Sequence, residues 1–413
     1  MTTEDRVERG VKQLRSVEAV RAYQREWLQE TRERVNRGEP FAICNGDEFE
    51  EVFNIMDIPV MVINYYHSLM GQKQMGEYYG DVLKKRGYPM SGFAFGLAST
   101  IDNKPEIAPW GGLPKPSIII GGSKSDTEMK VLEIWAREFG CPFFPLDFSL
   151  DAVPDWIYPP PPRWWEKMEE HWDELIEPRR LEQRVEEEKH LINFIELTTG
   201  RKLSMAKLKQ GLELQNEQEK LWGKARYLIA ETIPCPVNLR DQLAVYQAQW
   251  HRGSLKGYDL IKTFYEEVKE RVENGVAACP NERIRLMWNA GTPPRWARYA
   301  EEKYGAVCVA SQFSSIPIDC YYRKILNDDP MKCLAAHHMV LFFETPDWRL
   351  KDAKLHKCDG MVEATMRPGF SFNKSLFEEA GMPLCLIPRD SDDPEVRSIL
   401  DKFIEGLLAK KKV

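Results

Sequence analysis

LPKPSIIIGGSKSDTEMKVLEIWAREFGCPFFPLDF, residues Leu113 to Phe148, is the stretch on which the reading of this chain turns. Ser117 to Ile120 is an apolar run that predicts a strand, and the loop Gly121-Gly122-Ser123-Lys124-Ser125-Asp126 ends it. A helical pattern follows, and Pro142 to Leu146 predicts a second strand. Strand, helix and strand in that order build parallel sheets, because a parallel pair needs a long crossover. In such sheets the loop after the first strand opens at the carboxyl edge, where ligands bind.

The same grammar extends in both directions. Residues 3–37 predict a helix stopped at Gly38. FAICNG (Phe41 to Gly46), a helix from Asp47 to Met56 and PVMVIN (Pro59 to Asn64) form another strand-helix-strand unit. Tyr65 to Arg86 predicts one further helix, ended by Gly87 and Pro89. PDWIYPPPPRWW (Pro154 to Trp165) is a stiff proline connection, either a linker or a docking ligand. From Trp165 to Gly275 the pattern is helical, with room for four or five helices.

Strands return at Ile284 to Asn289 and Ala306 to Ser311, around a helix from Pro294 to Tyr304. Cys358 to Glu363 starts another strand, and Pro383 to Pro388 follows a helix at Asn373 to Ala380. A closing helix spans Pro394 to Leu408. The fold class is α/β, with boundaries expected at 1–40 (helical lead), 41–153 (first α/β domain), 154–278 (linker and helical region) and 279–413 (second α/β domain).

A chain of 413 residues can bury more than one core. Its net charge of −7 argues against a nucleic-acid surface. No run reaches the roughly 20 apolar residues of a membrane span. The start MTTEDRVERGVKQLR has no apolar centre and does not read as a secretory signal. Nine scattered cysteines with no C-x-x-C pair suggest a reduced, cytoplasmic setting.

Four phrases then bring a family into view: MDIPVMVINYYHS (Met56 to Ser68), LPKPSIIIGGSKSD, EFGCPFFPLDF (Glu138 to Phe148) and KCDGMVEATMRPGFSF continuing through FEEAGMPLCLIPRDSDDPEVRSILDKFIEGLL. In this order and spacing the chain resembles core subunits of 2-hydroxyacyl-CoA dehydratases and ATP-dependent benzoyl-CoA reductases, the larger benzoyl-CoA reductase subunit above all. The resemblance implies two Rossmann-like domains with a helical part, a related partner subunit (heterodimer or heterotetramer) and a coenzyme A thioester as substrate. It also implies a [4Fe-4S] cluster held by three cysteines from three loops, fed with electrons by an ATP-hydrolysing activator.

None of those three positions is cysteine here. Ala94 or a neighbour in YPMSGFAFGLAS stands at the first, Ser125 at the second, and Gly369 or Phe370 in MRPGFSF at the third. No cysteine lies within ten residues of any of them. Thiolate donors hold such clusters, and alanine, glycine and phenylalanine offer no donor atom. The expectation is no cofactor and no metal ligand in this chain, with any [4Fe-4S] cluster on a partner chain.

Other residues at the expected edge carry chemistry of their own. Asn45, Asn64, Tyr65, Tyr66 and His67 follow the first two strands, in loops that open beside Ser123 and Ser125. His67 is the candidate acid–base group, with Tyr65 and Tyr66 as donors to a thioester oxygen. Equally, Asn45-Gly46-Asp47 is an ordinary helix-entry turn, and His67 can pack or cap. Gly121 to Ser125 can cradle a CoA phosphate or simply start a helix. Trp288 and Asn289, opening WNAGTPPRW, either line an acyl site or form a turn. His337-His338, in AAHHMVLFF, read as core or interface residues.

Three functions remain open at this point. One is a cluster-free subunit of a heteromeric acyl-CoA enzyme, a lyase or oxidoreductase of the kind found in anaerobic aromatic metabolism. The others are a stand-alone non-redox acyl-CoA lyase or hydratase, and a non-catalytic scaffold of a catalytic paralogue.

Overall fold

The computed structural model describes residues 14–45, 49–88, 94–122, 126–146, 161–289, 293–340, 345–365, 369–388 and 393–411. Two four-stranded sheets, every pair in them parallel, carry the architecture. The first contains β1 (Ala42–Cys44), β2 (Val60–Val62), β3 (Ile118–Gly122) and β4 (Phe143–Leu146), in the order β2-β1-β3-β4. The second contains β5 (Ile284–Trp288), β6 (Ala306–Ala310), β7 (Gly360–Thr365) and β8 (Leu384–Pro388), in the order β6-β5-β7-β8. Each sheet steps to one side of its first strand and then crosses back to the other. The divergence therefore falls between β1 and β3, and between β5 and β7. Crevices for ligands open at the carboxyl ends of such strand pairs.

The lead helix is α1 (Arg15–Asn36), and α2 (Glu50–Ile55), α3 (Ile63–Gln72), α4 (Gly76–Lys85), α5 (Phe95–Asp102) and α6 (Asp126–Phe139) connect the first sheet. A helical stretch follows: α7 (Pro178–Thr199), α8 (Met205–Glu231), α9 (Leu239–Tyr246) and α10 (Leu255–Glu273). Their starts are set by local chemistry, since Glu177, Ser204, Asn238 and Ser254 each accept backbone N–H groups of the first turn. The second sheet is dressed by α11 (Pro294–Tyr304), α12 (Gln312–Ile316), α13 (Pro330–Val340), α14 (Pro346–Leu355), α15 (Lys374–Glu379) and α16 (Asp393–Lys410). Among the described residues, no helix is long and apolar enough to cross a membrane.

One expected helix, Tyr65 to Arg86, is two. Gln74 adopts a left-handed backbone (φ 56°) and Met75 N–H returns to the Met70 carbonyl, 3.1 Å away, which closes α3 before α4 begins. No glycine or asparagine marks that stop, so it is invisible in the pattern. The connection from β6 to β7 is also longer than a simple crossover. It leaves the second sheet through α12 and a π-helical turn at Pro317–Tyr321, and docks α13 on α7 and α8. Met331, Leu334 and Trp348 thereby join the same buried cluster as Phe41, Ile43 and Ile119 of the first sheet.

Two polar anchors tie the helical stretch to its neighbours. Arg285 of β5 is buried and donates to the Ile229, Ala230 and Thr232 carbonyls at 3.0, 3.3 and 3.0 Å, satisfying the otherwise unpaired end of α8. At the other end of the chain, Glu267 of α10 accepts Arg15 N–H and Ser16 N–H at 2.8 Å each, capping α1. Residues 147–160, which include most of the proline connection, lie outside the described residues; Trp164, near its end, is buried and sits 5.8 Å from Trp348.

Gly96, in α5, faces Ile63 and the Trp135 ring so closely that an added Cβ would lie 2.2 Å from Ile63 Cδ1 and 2.8 Å from Trp135 Cη2. Gly96→Ala should cost about 1–3 kcal/mol by overpacking. Equilibrium urea unfolding measures it; an unchanged midpoint would show that the ring and Ile63 yield freely.

Candidate functional site

The described residues among Asn45, Asn64, Tyr65, Tyr66, His67, Trp288 and Asn289 follow the carboxyl ends of strands, though not all of them point outward. Asn45 follows β1, is buried, and its carboxamide donates to the Glu128 carboxylate in the first turn of α6. That bond ties the ends of β1 and β3, the divergence point of the first sheet. Ser123 and Ser125, together with Gly46 and Asp47, lie outside the described residues. Gly122 is the last described residue before the serines.

Beyond β2, the first turn of α3 carries Asn64, Tyr65, Tyr66 and His67. Tyr66 turns inward: its hydroxyl donates to the Pro109 carbonyl at 3.2 Å and lies 3.3 Å from Ser99 Oγ. Burial pushes its pKa up, so it keeps its proton. This corrects the expectation that it faces a substrate. His67 is half-buried with its ring 5.4 Å from Phe95. Asn64 Oδ1 is buried and has no hydrogen-bond partner among the described residues.

Tyr65 sits where the two halves meet. Its ring is 5.3 Å from Trp250 and 6.2 Å from Tyr246, and Tyr246 is 5.1 Å from Phe313, in α12 just after β6. Three rings thus join the carboxyl end of β2 to that of β6. Tyr65 and Phe313 pack against both of the larger buried clusters. Aromatic rings in tilted contact make a rigid apolar wall.

In the second sheet, Trp288 at the end of β5 is buried in the cluster with Trp296, Cys308 and Val362. It packs there and does not line a cleft. Asn289 is half-buried and its backbone N–H donates to the Val362 carbonyl at 3.0 Å, extending the β5–β7 pairing by one residue. At the end of β7, Glu363 accepts from Ser371 Oγ at 2.6 Å and Asn373 Nδ2 at 3.0 Å. The turn so held displays Phe370 and Phe372, both exposed, in an edge-to-face pair 5.0 Å apart.

These positions do not fit an iron–sulfur cluster. Ala94 is buried and has no donor atom, and Gly369 and Phe370 occupy the third loop. The cysteines are elsewhere, and burial pushes the thiols of Cys235, Cys333 and Cys385 up to about 12 and that of Cys141 up to about 11. Protonated thiols inside a core are poor metal ligands.

Sequence reasoning missed the charged residues beneath this edge. Arg252, fully buried, donates to Glu50 of α2 at 2.5 Å and to Glu219 of α8 at 3.2 Å, and lies 3.7 Å above the Tyr321 ring. Beside it, Glu51 lies within ion-pair range of both His337 and His338 of α13, and His338 also meets Glu188 of α7 at 2.7 Å. Flanked by two carboxylates, His338 is raised to about 9, while burial lowers His337 to about 3. The adjacent histidines were the single visible signal; their carboxylate partners come from 287 and 150 positions away.

A protein-family model described as 2-hydroxyglutaryl-CoA dehydratase, D-component, matches residues 50–407. No curated protein matches the chain.

Two outcomes follow from the buried charges. Arg252→Met leaves Glu50 and Glu219 without their shared cation and should destabilise by about 3–5 kcal/mol in urea unfolding; a loss under 1 kcal/mol would mean that both carboxylates take up protons at little cost. His251, buried against Tyr23 and Trp27, is lowered to about 3 by desolvation. A lowered folded-state pKa favours the neutral ring, so its stabilisation is present above pH 6.5 and is lost as pH falls from 6.5 towards 3. His251→Gln should flatten the acid side of the stability profile by up to about 1.4 kcal/mol per pH unit relative to the unsubstituted chain; parallel profiles would exclude this group as a cause.

Proposed function

The chain belongs to the 2-hydroxyglutaryl-CoA dehydratase D-component family, and from that premise we propose that it is the cluster-free subunit of a heteromeric acyl-CoA-processing enzyme. It shapes the acyl or aryl-acyl site together with a related partner subunit, in the manner of benzoyl-CoA reductase and 2-hydroxyacyl-CoA dehydratase. The observation that carries this reading is a ligand-facing edge kept without its metal donors. Both sheets keep their divergence points and the aromatic wall between them, while Ala94, Ser125 and Gly369 or Phe370 stand where thiolates are needed. A family described by the name of a component is, in general terms, one that works with a partner.

On this reading the half-buried Tyr65 and Phe313, backed by the buried Tyr246 ring, receive the acyl portion, since flat apolar groups gain both burial and ring contact there. The Tyr65 hydroxyl donates to the thioester oxygen. Asn64 Oδ1, a buried acceptor lacking a partner among the described residues, takes a hydrogen bond from a substrate hydroxyl or amide. His67 moves the proton. Tyr66 and Trp288 belong to the supporting core. Electron chemistry, where the assembly performs it, falls to the partner chain.

Acid-labile sulfide measured on the purified chain should be absent, and it should appear only on co-expression with a cluster-bearing partner. Stoichiometric sulfide in the chain alone would overturn the reading. Within the assembled enzyme, Tyr65→Ala should weaken acyl-CoA binding roughly tenfold. His67→Ala should lower turnover about a hundredfold or more with little change in binding; unchanged turnover would remove His67 as the proton carrier.

A further inference from the structure

Beneath the first sheet's edge, three side chains with metal-binding atoms converge: Glu51, His337 and His338. Glu51 Oε1 lies 2.8 Å from His337 Nδ1 and 3.1 Å from His338 Nε2. His338 has a hydrogen-bonded carboxylate at each ring nitrogen, Glu188 at Nδ1 and Glu51 at Nε2. His337 is different. Its Nδ1 is at contact distance from Glu51 but out of hydrogen-bond alignment, and its Nε2 has no hydrogen-bond partner among the described residues. Glu51 Oε2 likewise has no hydrogen-bond partner among the described residues, although all three residues are at most 3% exposed.

A proton between Glu51 and His338 satisfies one imidazole and leaves the other, together with a carboxylate oxygen, orphaned in the core. Orphaned buried polar atoms are costly and rare, so each calls for a physical reason. A cation between the three groups takes a lone pair from each imidazole and a carboxylate oxygen of Glu51, giving three protein donors and partnering the second imidazole that a single proton cannot. The rings are already fixed for this. His337 and His338 stack at 5.0 Å and 19°, Phe49 stacks on His338 at 4.9 Å, and Tyr321 abuts His337 at 4.6 Å.

Glu188 supplies the remaining feature. A carboxylate on the second nitrogen of a ligating imidazole holds the tautomer that leaves the first nitrogen free to bind, and strengthens it as a donor. Imidazole and carboxylate are the donor set of zinc and, at similar geometry, of ferrous iron. We infer that Glu51, His337 and His338 form a divalent transition-metal site, zinc by its donor set, with Glu188 as the positioning residue.

The site joins α2, α7 and α13, which come from three separate parts of the chain. Closed on all sides, it fastens these helices under the candidate acyl-CoA edge. It is independent of the reading of that edge, and of any iron–sulfur chemistry.

The test uses the full chain purified without added metal. Metal analysis by mass spectrometry should find about one zinc per chain that survives dialysis, with no acid-labile sulfide. Removal by a chelator should lower Tm, and readdition of Zn2+ should restore it. Co2+ loaded in its place should give visible d–d bands without a thiolate-to-cobalt charge-transfer band, which separates this site from the nine cysteines. Glu51→Gln and His337→Gln should each abolish stoichiometric binding, and Glu188→Gln should weaken it about 10–100-fold.

The inference is overturned if the unsubstituted chain neither holds metal nor shifts Tm with Zn2+ or Co2+; Glu51 and His338 are then a proton-bridged pair. It is equally overturned by a thiolate band, or by metal retained in both the Glu51 and His337 variants. Should those variants fail to fold, the cobalt spectrum of the unsubstituted chain decides alone. Failure here leaves the sulfide and acyl-CoA outcomes untouched, so the two readings fall separately.

Discussion

The Arg252 guanidinium is the constraint around which the rest of this chain is arranged. It is fully buried, pairs with Glu50 and Glu219, and stacks on Tyr321. Those partners belong to the first crossover of the first sheet, the longest helix, and the connection inside the second sheet. A buried arginine with its hydrogen bonds incomplete is among the costlier things a core can hold. The three elements must therefore arrive in one mutual arrangement for the charge to be satisfied. The five-donor fork of arginine suits this role, since it can address several acceptors at fixed angles where lysine could not.

Above that anchor, the two sheets present their carboxyl edges to a common aromatic wall. The wall is made by one residue from each of three regions: Tyr65 after β2, Tyr246 at the end of α9, and Phe313 after β6. The aromatic wall and the buried anchor both draw on the first sheet's connections, the helical stretch and the β6–β7 connection.

Much of this architecture was legible in the residues. Strands and their crossovers stand out because β-branched runs such as Ile118 to Ile120 alternate with helix-period segments bounded by Gly87, Gly121 and Gly381. The helical stretch was legible only as a pattern from Trp165 to Gly275; its starts at Glu177, Ser204, Asn238 and Ser254 come from the structure. Asn45 and Asn289 could be placed after strands because strand ends can be read from the pattern; the serine loop lies outside the described residues. The inward turn of Tyr66 could not be, because Tyr65 and Tyr66 are chemically alike and only the register of α3 on Ser99 separates them. Nor could the break at Gln74, which lacks the glycine that normally announces it. Glu51, Glu188, Glu219 and Arg252 were hidden most thoroughly. In sequence they sit among solvated charges, and nothing local says that they face inward.

The excursion between β6 and β7 has a consequence for how the chain is made. The second sheet starts with β5 and β6, but the chain then departs to lay α13 across α7 and α8 before β7 and β8 complete the pairing. The closing strands thus follow a segment whose own burial needs the helical stretch and the first sheet already in place. Contacts so far apart in sequence slow folding, since loop entropy must be lost before the contacts repay it. During synthesis the amino-terminal part can settle first and serve as the template on which the carboxyl-terminal sheet closes. Neither half is then a module to be inherited, swapped or deleted alone, and the unit on which selection acts is the interleaved whole.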